Sequence, residues 1–381
     1  MTLEQYRLIH HWTAYIAPLL CISPGANPFQ MYLTPMALCD TSSPLRHVVL
    51  SIAASHLTAS ESNMSSRQSL VPAAQNYRTA AIASVRQTLS QDLNTSEPID
   101  TILASILLLE ISKQFDNTSR QSDLDVNHLL GATELIRARG GPQCLTSPCG
   151  RFLLTQIIYY DLLSAVSKGS QPLISYSGLS KAETSTLHQD LESSRGYHAE
   201  ILQAVSRISE LKTKKDAGFP SADLMIAGQD LKDGLDSVYI PEPPSDQTRT
   251  TEAHRSAALI YLYRVVYDIG APHALTMHQV KRCIDCLAAV PVSSPLISAH
   301  VWPLFTAGCE ATDPRDRNFV KQRLVDMYHQ QRIKSLQKVW ELMERVWLSK
   351  DFTRSVEGAE EMSRLGCIEV VRELGEMVHL V

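Results

Sequence analysis

The sequence predicts an all-α fold, an array of antiparallel helices forming one large helical domain. Three observations carry that prediction. Apolar residues recur three and four apart in segment after segment, which is the spacing of one helical face. Caps, prolines and glycines bound those segments. No run of convincing length alternates with the period of two that a half-buried strand needs.

Leu3, Tyr6, Leu8, Trp12, Ile16 and Leu19 define the first helix, over residues 3 to 20, and the pattern stops at Pro24-Gly25. Asn27-Pro28 opens a short connector. Ser43 and Pro44 start a helix whose stripe is Leu45, Val48, Val49, Ile52, His56 and Leu57. The polar residues from Ser60 to Ser69 read as a loop, and Pro72 begins a helix through Tyr77, Ala81, Val85 and Leu89. Ser96 caps the next, with Pro98 in its first turn. From Ile99 to Leu109 it is apolar on nearly all sides and is expected to be central. A polar stretch from Asp116 to Asp125 precedes a helix from His128 to Arg139, closed by Gly140-Gly141-Pro142. Phe152 to Val166 is almost wholly apolar.

Residues 167–195, rich in Ser, Gly and short polar residues, are expected to be a polar linker subdividing the domain 1–381 into 1–166 and 197–381. Helices at 197–213 and 221–237 lead to the extended spacer Pro241-Glu242-Pro243-Pro244. Helices resume at 251–267, 273–290, 295–311, 314–349 and 358–376. Pro303 lies inside the apolar pattern of 295–311, where its ring removes the bond to the Ala299 carbonyl and predicts a kink. Asp313 is placed to cap the helix that Pro314 starts. After a break near Tyr328, the stripe Ile333, Leu336, Trp340, Met343 and Trp347 should lie against other helices.

With 381 residues, 44% of them apolar, and a net charge of −5, the composition is that of a globular protein with ample core. The mildly acidic balance offers no basic face to neutralise phosphates, so direct DNA binding is not expected. The eight cysteines are scattered. Only Cys283 and Cys286 have metal-like spacing, and without a second pair they read as ordinary thiols, so no metal and no cofactor are expected. No apolar run reaches the ~20 residues that span a bilayer. No secretory signal pattern opens the chain, and a place inside the cell is expected.

Polar residues on otherwise apolar helices are the candidate site residues, because an unpaired polar group in a core costs about 1–3 kcal/mol and must be satisfied or used. These are His56, Glu110, Asp161 and Glu310, with Tyr159, Tyr160, Tyr261, Tyr263 and Trp302 as the aromatic candidates for the walls of a ligand pocket, Tyr160 and Trp302 foremost. Read structurally, each is a buried hydrogen bond or ion pair, with Arg46, Arg137 and Arg264 as the available partners. Asp123 and Asp125 form a carboxylate pair of the kind that holds magnesium-bound diphosphates, but they stand where a helix cap is favoured and have no second acidic cluster.

The run "VWPLFTAGCEATDPRDRNFVKQRL", followed by "SLQKVWELMERVW", resembles the C-terminal signature of the fungal-specific transcription factor domain. Further matching runs occur in order: "NPFQMYLTPMAL", "PLRHVVLSIAASHL", "HLLGATELIRARGGP", "FLLTQIIYYDLLSAV" and "AALIYLYRVV". The resemblance implies an all-helical regulatory region of the kind that follows a zinc binuclear cluster, whose six closely spaced cysteines do not occur in these residues. It implies a transcriptional regulator or co-regulator, similar to those of fungal secondary-metabolite gene clusters, acting in the nucleus without a DNA-binding domain of its own. Its partners would be a DNA-binding protein or the transcription machinery, with a small-molecule effector and a second copy of the chain as further candidates. The competing reading is a cytoplasmic enzyme or small-molecule-binding protein of a biosynthetic pathway. It would be of cyclase, isomerase or dehydratase type, with His56, Asp161 and Glu310 doing acid/base work.

Overall fold

The computed structural model describes residues 1–22, 25–40, 43–61, 64–90, 99–115, 127–176, 181–195, 199–374, 376 and 378–380. Among them every regular element is a helix and no strand is present. The chain separates by its contacts into two compact units: Met1–Ile157 with Gln331–Ser335, and Ile158–Gln330 with Leu336–Val381.

In unit 1, α1 (Leu3–His11) and α2 (Ala17–Leu20) are joined without a break by a π-helical turn, Trp12–Ile16. A second π-helical turn, Phe29–Leu33, leads into α3 (Thr34–Cys39). A widened turn leaves carbonyls without their usual donors. Here side chains supply them. Gln30 Nε2 donates to the Thr13 carbonyl of the first turn at 2.7 Å, and in α2 Asn27 Nδ2 donates to the Ala17 carbonyl at 2.9 Å. Trp12 Nε1 donates to Thr34 Oγ1 at 3.0 Å. The hub is α4 (Pro44–Ser60), buried along most of its length and packed by α1, α3, α5 (Met64–Ser90) and α6 (Ile99–Ser112). As its composition predicts, α6 is buried continuously from Ile102 to Ser112. α7 (His128–Ala138) lies on it.

α8 (Pro148–Lys168) begins in unit 1 and continues into unit 2. Unit 2 also holds α9 (Lys181–Arg195), α10 (Ala199–Asp216), α11 (Ser221–Ser237), α12 (Asp246–Tyr267) and α13 (Ala274–Ala288). It closes with α14 (Val301–Glu310), α15 (Pro314–Gln331), α16 (Ser335–Val356), α17 (Ala359–Arg364) and α18 (Cys367–Glu373). Its hub is α12, packed by α10, α11, α13 and α14. Ser245 starts α12 by accepting from Thr248 N at 3.2 Å, and Asp268 ends it at φ 54°.

Several boundaries differ from expectation. α5 starts at Met64, so Pro72 lies inside it rather than at its start. The ring is on the exposed side, where solvent can take the Gln68 carbonyl that loses its donor. Within the stretch expected as a polar linker, Lys181–Arg195 is helical, with Leu187 and Leu191 buried one turn apart. Two apolar anchors suffice there for a segment too polar to read as a helix. The segment before Pro303, Pro295–His300, is a 3-10 helix, and α14 begins only at Val301. Pro303 therefore sits in a first turn, where its missing N–H has no work to do, and the bend falls at the junction before it. Asp313 caps as predicted, accepting from Arg315 N at 2.7 Å. The break near Tyr328 comes at Arg332, which takes φ 55° between α15 and α16. Asp123 and Asp125 lie outside the described residues.

α14 is held against α16 at close range. Trp347 Nε1 donates to the Gly308 carbonyl at 2.7 Å, and a methyl on Gly308 would stand 2.5 Å from Met343 Sδ and 2.8 Å from Val320 Cγ1. Gly308→Ala is expected to lower stability by about 1–3 kcal/mol through overpacking. An unchanged denaturation midpoint would show that Met343 and Val320 yield freely.

Candidate functional site

Glu310 ends α14 with its carboxylate fully buried, 1% exposed. Oε1 accepts from Arg264 Nε at 2.7 Å and faces Lys350 Nζ at 2.8 Å. Oε2 accepts from Arg264 Nη2 at 2.9 Å and from the Ala271 backbone N–H at 2.8 Å. Burial alone would raise this carboxyl, but Lys350 and Arg264 outweigh it and hold it at about 2. Two cations face one anion here. Lys350 Nζ is itself buried and lies off the line of a good hydrogen bond to its partner. A carboxylate with both oxygens engaged and a value near 2 fixes α12, α14 and α16 together and is unsuited to proton transfer near neutrality.

Beside this cluster is a cavity of about 250 Å³. Ile260, Tyr261, Arg264 and Val265 of α12, Phe305, Thr306 and Glu310 of α14, and Cys367 and Ile368 of α18 supply its walls. Lys212, Lys215 and Asp216 of α10 and the exposed Asp268 and Glu369 supply its charged edge. Those charges are matched. Lys215 Nζ reaches Asp268 at 2.6 Å and the Val265 carbonyl at 3.0 Å. Lys212 is held more loosely, at 3.4 Å from Asp216 and 3.8 Å from Glu369. Tyr261 OH lies 3.1 Å from Ser209 Oγ in the wall behind.

Of the residues singled out by sequence, Glu310, Tyr261 and the expected ion-pair partner Arg264 line this cavity. Trp302 is buried in unit 2 with its ring 5.7 Å from that of His254. Asp161 accepts from the Ile174 N–H at 3.0 Å, and Tyr160 packs edge-on to Tyr159 at 5.8 Å. His56 and Glu110 belong to unit 1. His56 Nδ1 lies 2.8 Å from His11 Nε2, and its Nε2 lies 2.8 Å from the Gln331 carbonyl. Glu110 takes both oxygens to Lys113 Nζ at 2.8 Å. Arg264 is the partner of Glu310, whereas Arg137 pairs with Glu134.

Lys350 and Cys367 are the residues that periodicity missed. A signal existed for the first: Leu336, Val339, Met343 and Val346 are buried on one face of α16, and Lys350 continues that row where an apolar residue belongs.

A family model described as the fungal specific transcription factor domain matches residues 7–378. The chain is also similar to an uncharacterized transcriptional regulatory protein of Schizosaccharomyces pombe, 22% identical over 367 residues, covering 90% of this chain and 67% of that protein. No solved structure matches significantly. The quoted runs are thus parts of a match that spans both units, and the chain belongs to the fungal specific transcription factor domain family.

Proposed function

We propose that these residues are the signal-receiving part of a transcriptional regulator that works in the nucleus on genes of a secondary-metabolite cluster. They reach DNA through a DNA-binding protein partner. Family membership supports the regulatory role, and the net charge of −5 argues against a duplex-gripping surface within these residues. The observation that carries the reading is the unit 2 cavity, which abuts the Glu310 cluster and so touches the charges that tie three helices together. A small molecule lodged there would bias how α12, α14 and α16 are held. The cations at the cavity edge, Lys212 and Lys215, stand beside carboxylates and Arg264 is engaged by Glu310, so the effector expected is uncharged, with an apolar body and hydrogen-bonding edges. Deleting the gene and measuring transcripts of the neighbouring genes together with pathway metabolites tests this. Lost transcripts are expected; unchanged transcripts with an accumulated intermediate would overturn it in favour of catalysis.

A further inference from the structure

Unit 1 holds a much smaller cavity, of about 30 Å³, between α4 and α5. Ser51, Ser55 and Thr58 line it from one face of α4, and Gln75 and Arg78 from α5. Lys334 lines it from the segment Gln331–Ser335. Val71 and Gln75 are exposed, which gives a small ion a way in from solvent. The charge of the walls is one-sided. Two cations stand there, and among the described residues that line the cavity none is acidic.

Its hydrogen-bonding groups are of both kinds. The Arg78 guanidinium and the Lys334 ammonium each carry several N–H donors, and the Gln75 amide and the Ser55 hydroxyl add to them. The Ser51 hydroxyl, buried, donates to the Ala74 carbonyl at 2.9 Å. The Thr58 hydroxyl, also buried, donates to the Ser55 carbonyl at 2.6 Å, and Lys334 Nζ lies 3.4 Å from Thr58 Oγ1. With its proton spent on the backbone, Ser51 Oγ can only accept from whatever enters.

We propose that this cavity binds one inorganic phosphate ion and prefers it to sulfate. A water needs about 10–15 Å³, so the space takes about two waters or one tetrahedral oxyanion and is too small for a nucleotide. Two wall cations attract a doubly negative ion, and charge-assisted bonds from Arg78 and Lys334 replace its water. Near neutrality phosphate keeps a proton that sulfate lacks. That P–O–H donates to Ser51 Oγ, whereas an oxygen of sulfate placed there would face another acceptor. The bound ion bridges α4 and α5 to Lys334, and so tightens the hold of unit 1 on residues 331–335.

The site lies within unit 1 and does not rest on the regulatory reading. The test titrates the purified chain with sodium phosphate at an ionic strength kept constant with chloride, and follows heat of binding and the denaturation midpoint. Saturable binding with a rising midpoint is expected. Sulfate strengthens apolar burial as phosphate does, so it is the salt control, and its rise should be smaller and unsaturated. Lys334→Ala and Arg78→Ala should each weaken phosphate binding by about tenfold. Ser55→Asp puts a carboxylate into the cavity, and should raise the midpoint without phosphate and abolish binding. It keeps the test decisive should an alanine variant fail to fold. Phenyl phosphate should bind more weakly, because its ring cannot follow the phosphate inside. An ester bound as tightly as the free ion, equal responses to phosphate and sulfate, or binding unchanged in the variants would overturn the proposal.

Discussion

Replacing Glu310 with alanine is expected to cost unit 2 about 3–5 kcal/mol. The change removes the carboxylate that pairs with Arg264 and Lys350 and leaves two buried cations without that anion. Arg264 keeps the Ser363 carbonyl, but Lys350 keeps nothing of comparable strength. The same substitution at an exposed pair serves as the comparison. Lys281 and Asp285 stand 61% and 60% exposed, one helical turn apart, and losing Asp285 should cost about 0.3–0.5 kcal/mol. Urea denaturation read by tryptophan fluorescence can follow this, because Trp302, Trp340 and Trp347 are in unit 2 while Trp12 reports on unit 1. A loss below about 1 kcal/mol for Glu310→Ala would show that the cluster does not hold the helices together.

Acid should strip much of the protein's stability before Glu310, held at about 2, is protonated. In unit 2, burial lowers His254 to about 4 against a hydrogen bond to the Thr250 carbonyl. Burial, with His254 and Arg323 nearby, lowers His300 to about 3. In unit 1, burial, with His56 beside it, brings His11 to about 4. A histidine kept neutral in the fold adds nothing to the pH dependence above about 6.5, where both states are neutral. Below that, the unfolded chain takes up the proton and the fold does not. Stability is therefore complete above about 6.5 and falls as the pH drops toward 4, by about 1.4 kcal/mol per unit for each histidine. His254 and His300 together remove roughly 6–7 kcal/mol by pH 4, comparable with the ~5–15 kcal/mol of a whole domain. Denaturation midpoints measured from pH 7 to 4 check it, and replacing His300 with asparagine should roughly halve the slope for unit 2. Constant midpoints down to pH 5 would refute the expectation.

Helix α10 was legible because one buried face leaves a period of 3.6 in the sequence, whereas α4 and α12, buried on nearly all sides, were legible from their apolar runs. Met64 to Val71 and Lys181 to Arg195 were not, since they are largely polar and are held by few apolar anchors. Pro303 misled for a related reason. The apolar residues before it keep a helical rhythm, and a 3-10 run buries Leu296, Ile297 and His300 as well as an α-helix would. Glu310 stood out because a carboxylate on a greasy face needs cations, and Arg264 was among those available. His56, Glu110 and Asp161 gave the same signal and meet partners inside the core, so the pattern identifies buried polar groups without saying which border a cavity.

The five residues Gln331–Ser335 have a consequence for how the gene product matures. The Gln331 carbonyl meets His56 at 2.8 Å, Ser335 N donates to the Gln114 carbonyl at 3.0 Å, and Lys334 reaches Thr58 at 3.4 Å. The amino-terminal half therefore emerges from the ribosome incomplete and waits for a short piece translated much later. A premature stop codon shortly before Gln331 would remove the distal helices and also deprive unit 1 of these three contacts.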